Sequence, residues 1–324
     1  MLSYKCNASC RHCMYACSPE WKGWISEVDL EKALKILAGF IQPSPFGPEA
    51  VSLNHGLHFT GGEPFLKFDL LKKAVILAHK LGIPSTFVET NAYWCTDENK
   101  TKEKLAALKA CGLQGILISV NPFYLEYVPF ERTERCIRIA HEVFYENMMV
   151  YQTEYYNRFK RMGLTDKLRL EDYLRRGWND LTHNVEMFLM GKAVYKLRNL
   201  FPKYPSASFL DEPCVPPFLR NWHNHFDNYG NYMPGYCGGL SLGSWRNLNN
   251  LVQEAIHLEK FPILKHLVEQ DMEGLLRMAL DYGYSERVDG YISKCDLCVD
   301  MRKFLCQTGE FGELKPKAFY SHLG

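Results

Sequence analysis

Residues 6 to 17 read CNASCRHCMYAC and place four thiols in the spacing Cys-x3-Cys-x2-Cys-x3-Cys. Four thiolates can enclose zinc tetrahedrally or saturate a four-iron cluster. Pairs can close as disulfides, and an activated thiolate can attack a substrate. Taken alone, the segment leaves zinc and iron–sulfur chemistry open. A second group comprises Cys214, Cys237, Cys295 and Cys298, with Cys306 beyond. Cys295-x2-Cys298 is the tightest pair spacing for a common metal, and two distant cysteines complete such a pair in both zinc and iron–sulfur sites. Cys95, Cys111 and Cys136 are scattered, and Cys111 and Cys136 read as small core residues of helices.

Three polar strand ends accompany the first thiols. They are HFTGGEP with Gly61, Gly62, Glu63 and Pro64, VETN with Glu89, Thr90 and Asn91, and ISVN with Ser119 and Asn121. A Gly-Gly backbone lets another group come close. A polar strand end otherwise serves as a turn or helix cap.

These groups need a scaffold, and strand–helix alternation supplies one. Leu2–Tyr4 is expected as a short first strand. SEVDLEKALKILAGFI follows as a helix with Ser26 and Asp29 as a capping box, and Leu30, Ala33, Leu34, Leu37, Phe40 and Ile41 share one face. The strand SLNHGLHF, the helix FDLLKKAVILAHKLG closed by Gly82, and the strand STFVET come next. TDENKTKEKLAALKACG, capped by Gly112, leads into GILISV, an apolar run typical of a buried parallel strand. RTERCIRIAHEVF reads as helix, MMVYQ as strand, DKLRLEDYLRRGW as helix and VEMFLM as a sixth strand. Six such units in series predict an α/β fold, a partial (β/α)6 parallel barrel, with chemistry on the loops at the C-terminal ends of the strands. From about residue 203 prolines cluster and the alternation stops. HFDNYGNYMPGYCGG suggests a small hairpin or loop, and a helical stretch from about 247 to 282 precedes the Cys295 pair. The expected division is 1–202 for the barrel and 203–324 for a small cysteine-rich C-terminal α+β extension.

At 324 residues, with 47% hydrophobic and 23% charged side chains, the chain has material for a well-filled core. Lys plus Arg number 38 against 37 for Asp plus Glu, which gives no hint of a nucleic-acid partner. No apolar run approaches the roughly 18 residues of a membrane span, and no signal peptide opens the chain, so a cytoplasmic protein without a membrane partner is expected. In a reducing compartment, clustered cysteines mark metal or catalytic sites more often than disulfides.

Cys6, Cys10 and Cys13 after a first strand, with Gly61-Gly62-Glu63-Pro64 at the end of the second, resemble the radical SAM superfamily. The likeness extends over about residues 1 to 200 by element order, and residue by residue over these motifs. It implies a [4Fe-4S] cluster held by three thiolates, with the fourth iron open to the amino and carboxylate groups of S-adenosylmethionine. Reductive cleavage of the sulfonium then gives a 5′-deoxyadenosyl radical that abstracts hydrogen from substrate, an electron being supplied by a carrier such as flavodoxin or ferredoxin. Such chemistry belongs to the cofactor, while the protein orients it and excludes water. The resemblance makes Cys17 a bystander. It sets the Gly61-Gly62 turn and Glu63 beside the methionine amino group, and makes Glu89, Thr90, Asn91, Ser119 and Asn121 polar contacts to the cofactor. His12 stands where an aromatic residue commonly packs near adenine. Gly191-Lys192-Ala193 is similar to a Gly-Arg-Ala often found after the last strand.

The C-terminal cysteines resemble the auxiliary-cluster extensions of the same superfamily, called SPASM with two clusters and twitch with one. Six residues separate Gly230 from Cys237 and seven separate Cys298 from Cys306, and a final cysteine pair is missing. One auxiliary [4Fe-4S] cluster fits that count, with structural zinc as the alternative. Tyr151, Tyr155 and Tyr156 are read as pocket-wall aromatics or hydrogen-atom donors. His223, His225 and Asp227 are read as loop structure or substrate contact. By the resemblance the substrate is a peptide or protein, oxidised or crosslinked. A small molecule that is dehydrogenated or rearranged is the alternative, and a non-enzymatic electron carrier or zinc module is a further one.

Overall fold

The computed structural model describes residues 1–176, 187–212, 214, 223–235, 237–254 and 256–324. The chain forms two compact units, Met1–Cys10 with Cys17–Met187, and Arg11–Ala16 with Phe188–Gly324. Six residues of the cysteine loop, Arg11–Ala16, go with the second unit.

The first unit is α/β. A parallel sheet has the order β1 (His58–Phe59), β2 (Phe87–Thr90), β3 (Gly115–Ser119) and β4 (Met148–Tyr151). Its register runs Phe87↔Gly115 and Val88↔Ile116 between β2 and β3, and Ile116↔Met148 between β3 and β4. The helices between are α1 (Glu27–Leu37), α2 (Phe68–Lys80), α3 (Glu98–Ala110), a single turn α4 (Pro122–Leu125) and α5 (Phe130–Phe144). This is the expected partial barrel. β3 carries Ile116, Leu117 and Ile118 fully buried, each contributing roughly 1.5–3 kcal/mol by leaving water. Against the sheet, α2 buries Leu70, Leu71, Ala74, Val75 and Ala78, positions that recur at helical spacing.

Local signals act as expected. Ser26 Oγ accepts from Asp29 N at 3.0 Å to cap α1, while Gly82 and Gly112 take positive φ just beyond α2 and α3. Phe40 and Ile41 do not extend the apolar face of α1, because that helix ends at Leu37 and Phe40 is exposed. SLNHGLHF contributes only His58 and Phe59 to the sheet. Leu2–Tyr4 is not a regular strand, yet it lies along the continuation of β1. Leu2 N donates to Thr60 O at 2.9 Å, Gly62 N to Ser3 O at 2.8 Å and Glu63 N to Lys5 O at 2.9 Å. Among the described residues, DKLRLEDYLRRGW forms the short helix α7 (Leu170–Arg175), and its last two residues, Gly177 and Trp178, lie outside them. In VEMFLM, Val185 and Glu186 lie outside the described residues, and Met187–Met190 is not a strand. TEYYNRFKR, which carries Tyr155 and Tyr156, is the helix α6 (Thr153–Arg161).

The second unit has an antiparallel sheet of β5 (His225–Phe226), β6 (Asn231–Met233) and β7 (Gly243–Ser244), where a hairpin or loop was expected. Helices Pro262–Val268, Met272–Asp281 and Lys294–Thr308 follow. Ile263, Leu264, Leu275, Leu297, Met301, Leu305, Leu314 and Phe319 form its core. No described helix is long and apolar enough to cross a membrane.

Candidate active site

In the first unit, Cys6 and Cys10 are buried at the end of the segment tied to the glycine turn. Both glycines are sterically required. A Cβ on Gly61, whose φ is +140°, would lie 2.2 Å from Ser3 O, and one on Gly62 would lie 1.9 Å from Lys5 O. The pair therefore lets Ser3–Lys5 dock beside the strand end, which sets the position of Cys6. Cys17 is also buried, and its thiol donates to Gly61 O at 3.6 Å.

Glu63 ties this turn to the end of β2. Its carboxyl group accepts from Asn91 N at 2.9 Å, Thr90 Oγ1 at 2.9 Å and Phe65 N at 3.2 Å. It is 1% exposed, and burial pushes its pKa up to about 7 against the pull of those donors. Pro64 starts the one-turn 3-10 helix that Glu63 caps. The Asn91 amide donates to Asn7 Oδ1 at 2.9 Å and reaches Cys6 Sγ at 3.8 Å. It is therefore a neighbour of the cysteine loop and a backbone anchor at once. Thr90 Oγ1 also receives the Trp94 indole N–H at 3.0 Å. Glu89 is half-buried and accepts from Thr60 Oγ1, with His58 Nδ1 3.7 Å away. Burial drives His58 down to about 3, so that contact involves a neutral imidazole.

Asn121 is buried and caps α4, its Oδ1 accepting from Phe123 N at 3.1 Å and Tyr124 N at 3.2 Å while its amide donates to Gln152 Oε1 at 3.0 Å. Ser119 is half-buried at the end of β3, in register with Tyr151. Tyr155 is a core residue, 2% exposed and packed with Phe159 and Tyr173. Tyr151 and Tyr156 are half-buried.

In the second unit, Cys13 is half-buried, and its carbonyl accepts from Lys192 N at 3.0 Å. Gly191, at φ +57°, passes so close that a Cβ would meet Met14 O at 2.5 Å. His12 is half-buried and, by burial, holds a pKa near 3, so it is a neutral ring. The Tyr15 hydroxyl is 2.8 Å from His225 Nδ1. Asp227 accepts from Tyr229 N at 2.9 Å and Asn231 N at 2.8 Å, which closes the β5–β6 turn. His223 packs edge-on against His225.

Cys214, Cys237, Cys295 and Cys298 line one pocket of about 450 Å³, its mouth included, together with Lys294, Arg302, Gly238 and apolar side chains. Cys295 and Cys298 sit in the first turn and a half of helix Lys294–Thr308, capped by Ser293, and the i, i+3 spacing turns both to the same side. Burial pushes Cys214 up to about 11 and Cys295 up to about 12, with neighbouring cysteines adding to each. Cys237 rises further for the same reasons. Cys306 does not line that pocket, and the one charged group acting on it is Lys317. All twelve cysteines are free thiols.

Several residues at these sites had no signal in the sequence. Asn7, Trp94 and Arg302 belong to common residue types in unremarkable positions, and only the fold brings them to the cysteines. Tyr93, pushed up to about 12 by burial and by the nearby Glu63 and Cys6, is a further member. Its place two residues beyond Asn91 was the available hint.

The family model described as Radical SAM superfamily matches residues 1–162. The chain belongs to the radical SAM superfamily, whose members are enzymes that use a [4Fe-4S] cluster and S-adenosylmethionine. Among solved structures it is similar to "Native anSMEcpe with bound AdoMet", at 15% identity and a TM-score of 0.43 over 95% of this chain and 96% of that one. It is also similar to "Native anSMEcpe with bound AdoMet and Kp18Cys peptide", at 15% identity and 0.42 over 95% of each chain. No curated protein matches the sequence.

Proposed function

We propose that this is a radical SAM enzyme with two clusters that modifies a peptide or protein side chain by oxidation or crosslinking. Cys6, Cys10 and Cys13 hold the first [4Fe-4S] cluster, and Cys214, Cys237, Cys295 and Cys298 hold an auxiliary one. The functional division follows 1–202 and 203–324. The observation that carries the reading is the convergence of four distant thiols on one pocket, because auxiliary clusters accompany the peptide-modifying members that the sequence resembles. Zinc suits this cage less well. A tetrahedral zinc site needs sulfurs about 3.8 Å apart, and among the described residues no three of these thiols lie within 4.8 Å of one another.

The residues at the first site fit its cofactors. The cysteines form no disulfide, an amide N–H points at the Cys6 sulfur, and the glycine turn excludes even a methyl group. When bound, the cluster and S-adenosylmethionine supply one-electron carbon–sulfur cleavage and hydrogen-atom abstraction. The chain's own work is positional. Cys6, Cys10 and Cys13 would hold three irons and leave the fourth open to the cofactor, with Cys17 a bystander as the resemblance implies. Glu63 holds the glycine turn against the end of β2, so that Asn91 faces the cysteine loop. Asn91, Ser119 and Asn121 offer polar groups at neighbouring strand ends, while His12 offers a neutral ring for stacking.

The test is anaerobic reconstitution followed by dithionite reduction. The protein should yield 5′-deoxyadenosine and methionine from S-adenosylmethionine, and Cys13→Ala should abolish this. Iron should correspond to two clusters, and Cys295→Ala with Cys298→Ala should remove one. Zinc at the C-terminal cage of an anaerobic preparation would overturn the auxiliary-cluster reading. A peptide encoded beside the gene, changed in mass on incubation, would establish the substrate class. A small molecule consumed instead would refute it.

A further inference from the structure

Arg302 lies on the wall of the C-terminal cage, one turn beyond Cys298 on the same helix. It is 3% exposed. Its Nη1 donates to Gly238 O at 3.1 Å and to the Tyr320 hydroxyl at 3.2 Å, and its Nε–H has no hydrogen-bond partner among the described residues. A buried guanidinium is costly unless an anion compensates it. Among the described residues no carboxylate pairs with Arg302, and the groups that face it are the neutral Tyr320 hydroxyl and the sulfurs of Cys298 and Cys237. Four thiolates around a four-iron core carry the net negative charge that this cation lacks.

We infer that Arg302 is the fixed counter-cation of the C-terminal cage and sets the reduction potential of the cluster held there. The inference rests on the auxiliary-cluster reading and deepens it. Gly238 follows the ligand Cys237, so the same guanidinium also fixes the loop that presents that thiol. Reduction adds one electron to an already anionic centre, and a cation locked nearby stabilises the reduced form more than the oxidised one. A unit charge about 10 Å away, at an effective dielectric near 20, changes that equilibrium about tenfold. Lys294 also lines the pocket and acts on Cys214 and Cys295 ahead of Arg302, but it is half-exposed and water screens it, whereas Arg302 is held in place by buried hydrogen bonds.

The experiment is an EPR-monitored redox titration of the full-length Cys6→Ala/Cys10→Ala/Cys13→Ala chain, reconstituted anaerobically, so that one cluster is titrated. Arg302→Gln should make reduction at least tenfold less favourable, a fall of about 59 mV for one electron. Arg302→Lys should keep more than half of the potential, and Lys294→Gln should move it less than Arg302→Gln does. A merely structural Arg302 would alter iron content but not the potential of what loads. An iron-loaded Arg302→Gln with the parent potential overturns this inference and leaves the auxiliary cluster standing. A parent chain that takes up no iron overturns the auxiliary-cluster reading itself. Where Arg302→Gln fails to load, Arg302→Lys decides: a retained potential supports the inference, and a full fall despite the retained charge contradicts it.

Discussion

Glu63 allows a prediction that can be worked through from the structure. Its carboxyl group is buried beneath three donors, and burial outweighs them, so its pKa rises from 4.5 to about 7. Between those values the folded chain holds a proton that the unfolded chain has released. The contribution to stability is therefore complete below pH 4.5 and is lost as pH rises through about 7. Integrated from pH 5 to pH 8, the loss is about 2.5 kcal/mol. Glu63→Gln removes the titration while keeping the shape and one carbonyl oxygen. At pH 5 the variant should be less stable than the parent by roughly 1–2 kcal/mol, because its NH2 group faces the Asn91 N–H. At pH 8 that deficit should vanish or reverse. Urea unfolding followed by tryptophan fluorescence is a suitable assay, since Trp94 is bonded to Thr90, which is itself a partner of Glu63. With an m-value of roughly 1–3 kcal/mol per molar, the difference between parent and variant midpoints should change by about 1 M or more between the two pH values. A difference that is constant with pH would refute the reasoning, because Glu63 would then be charged and solvated in the folded chain.

Gly62→Ala places a methyl group against the Lys5 carbonyl and should break the hydrogen bonds from Gly62 N and Glu63 N, costing about 2 kcal/mol or more; iron held at the first site should fall, measured in the Cys295→Ala/Cys298→Ala background. Cys17→Ala should leave iron content and 5′-deoxyadenosine yield unchanged, and loss of either would make Cys17 a ligand. Tyr155→Phe should retain turnover, because Tyr155 is packed in the core; a loss of turnover with stability intact would restore it as a hydrogen-atom donor.

Much of this arrangement was legible before the fold was known. The second to fifth strands were located by the strand–helix alternation, the fourth also by its apolar run GILISV, and Ser26, Gly82 and Gly112 punctuated the helices as local backbone chemistry requires. The cysteine spacings and the GGEP turn located both candidate sites. Other features depend on tertiary contact. Leu2–Tyr4 reads as a strand, but it binds the strand end through a few separated hydrogen bonds. The buried face of Thr153–Arg161 is completed by Phe130 and Tyr173, which are distant in sequence. The partners of the Glu63 carboxyl group, Asn91, Thr90 and Phe65, also come together only in the fold. Asn121 likewise has its oxygen committed to capping α4. Arg302 carried no signal at all, since a lone arginine four residues after a cysteine reads as solvated surface.

The central claim is that Cys6, Cys10 and Cys13 leave one iron of the first cluster without a protein ligand. Mössbauer spectroscopy of the 57Fe-reconstituted Cys295→Ala/Cys298→Ala chain, with and without S-adenosylmethionine, tests it most directly. One iron in four should change its signal when the compound is added, and the same should hold in a Cys17→Ala chain. Four irons that stay alike and unmoved, becoming distinguishable only when Cys17 is replaced, would contradict it.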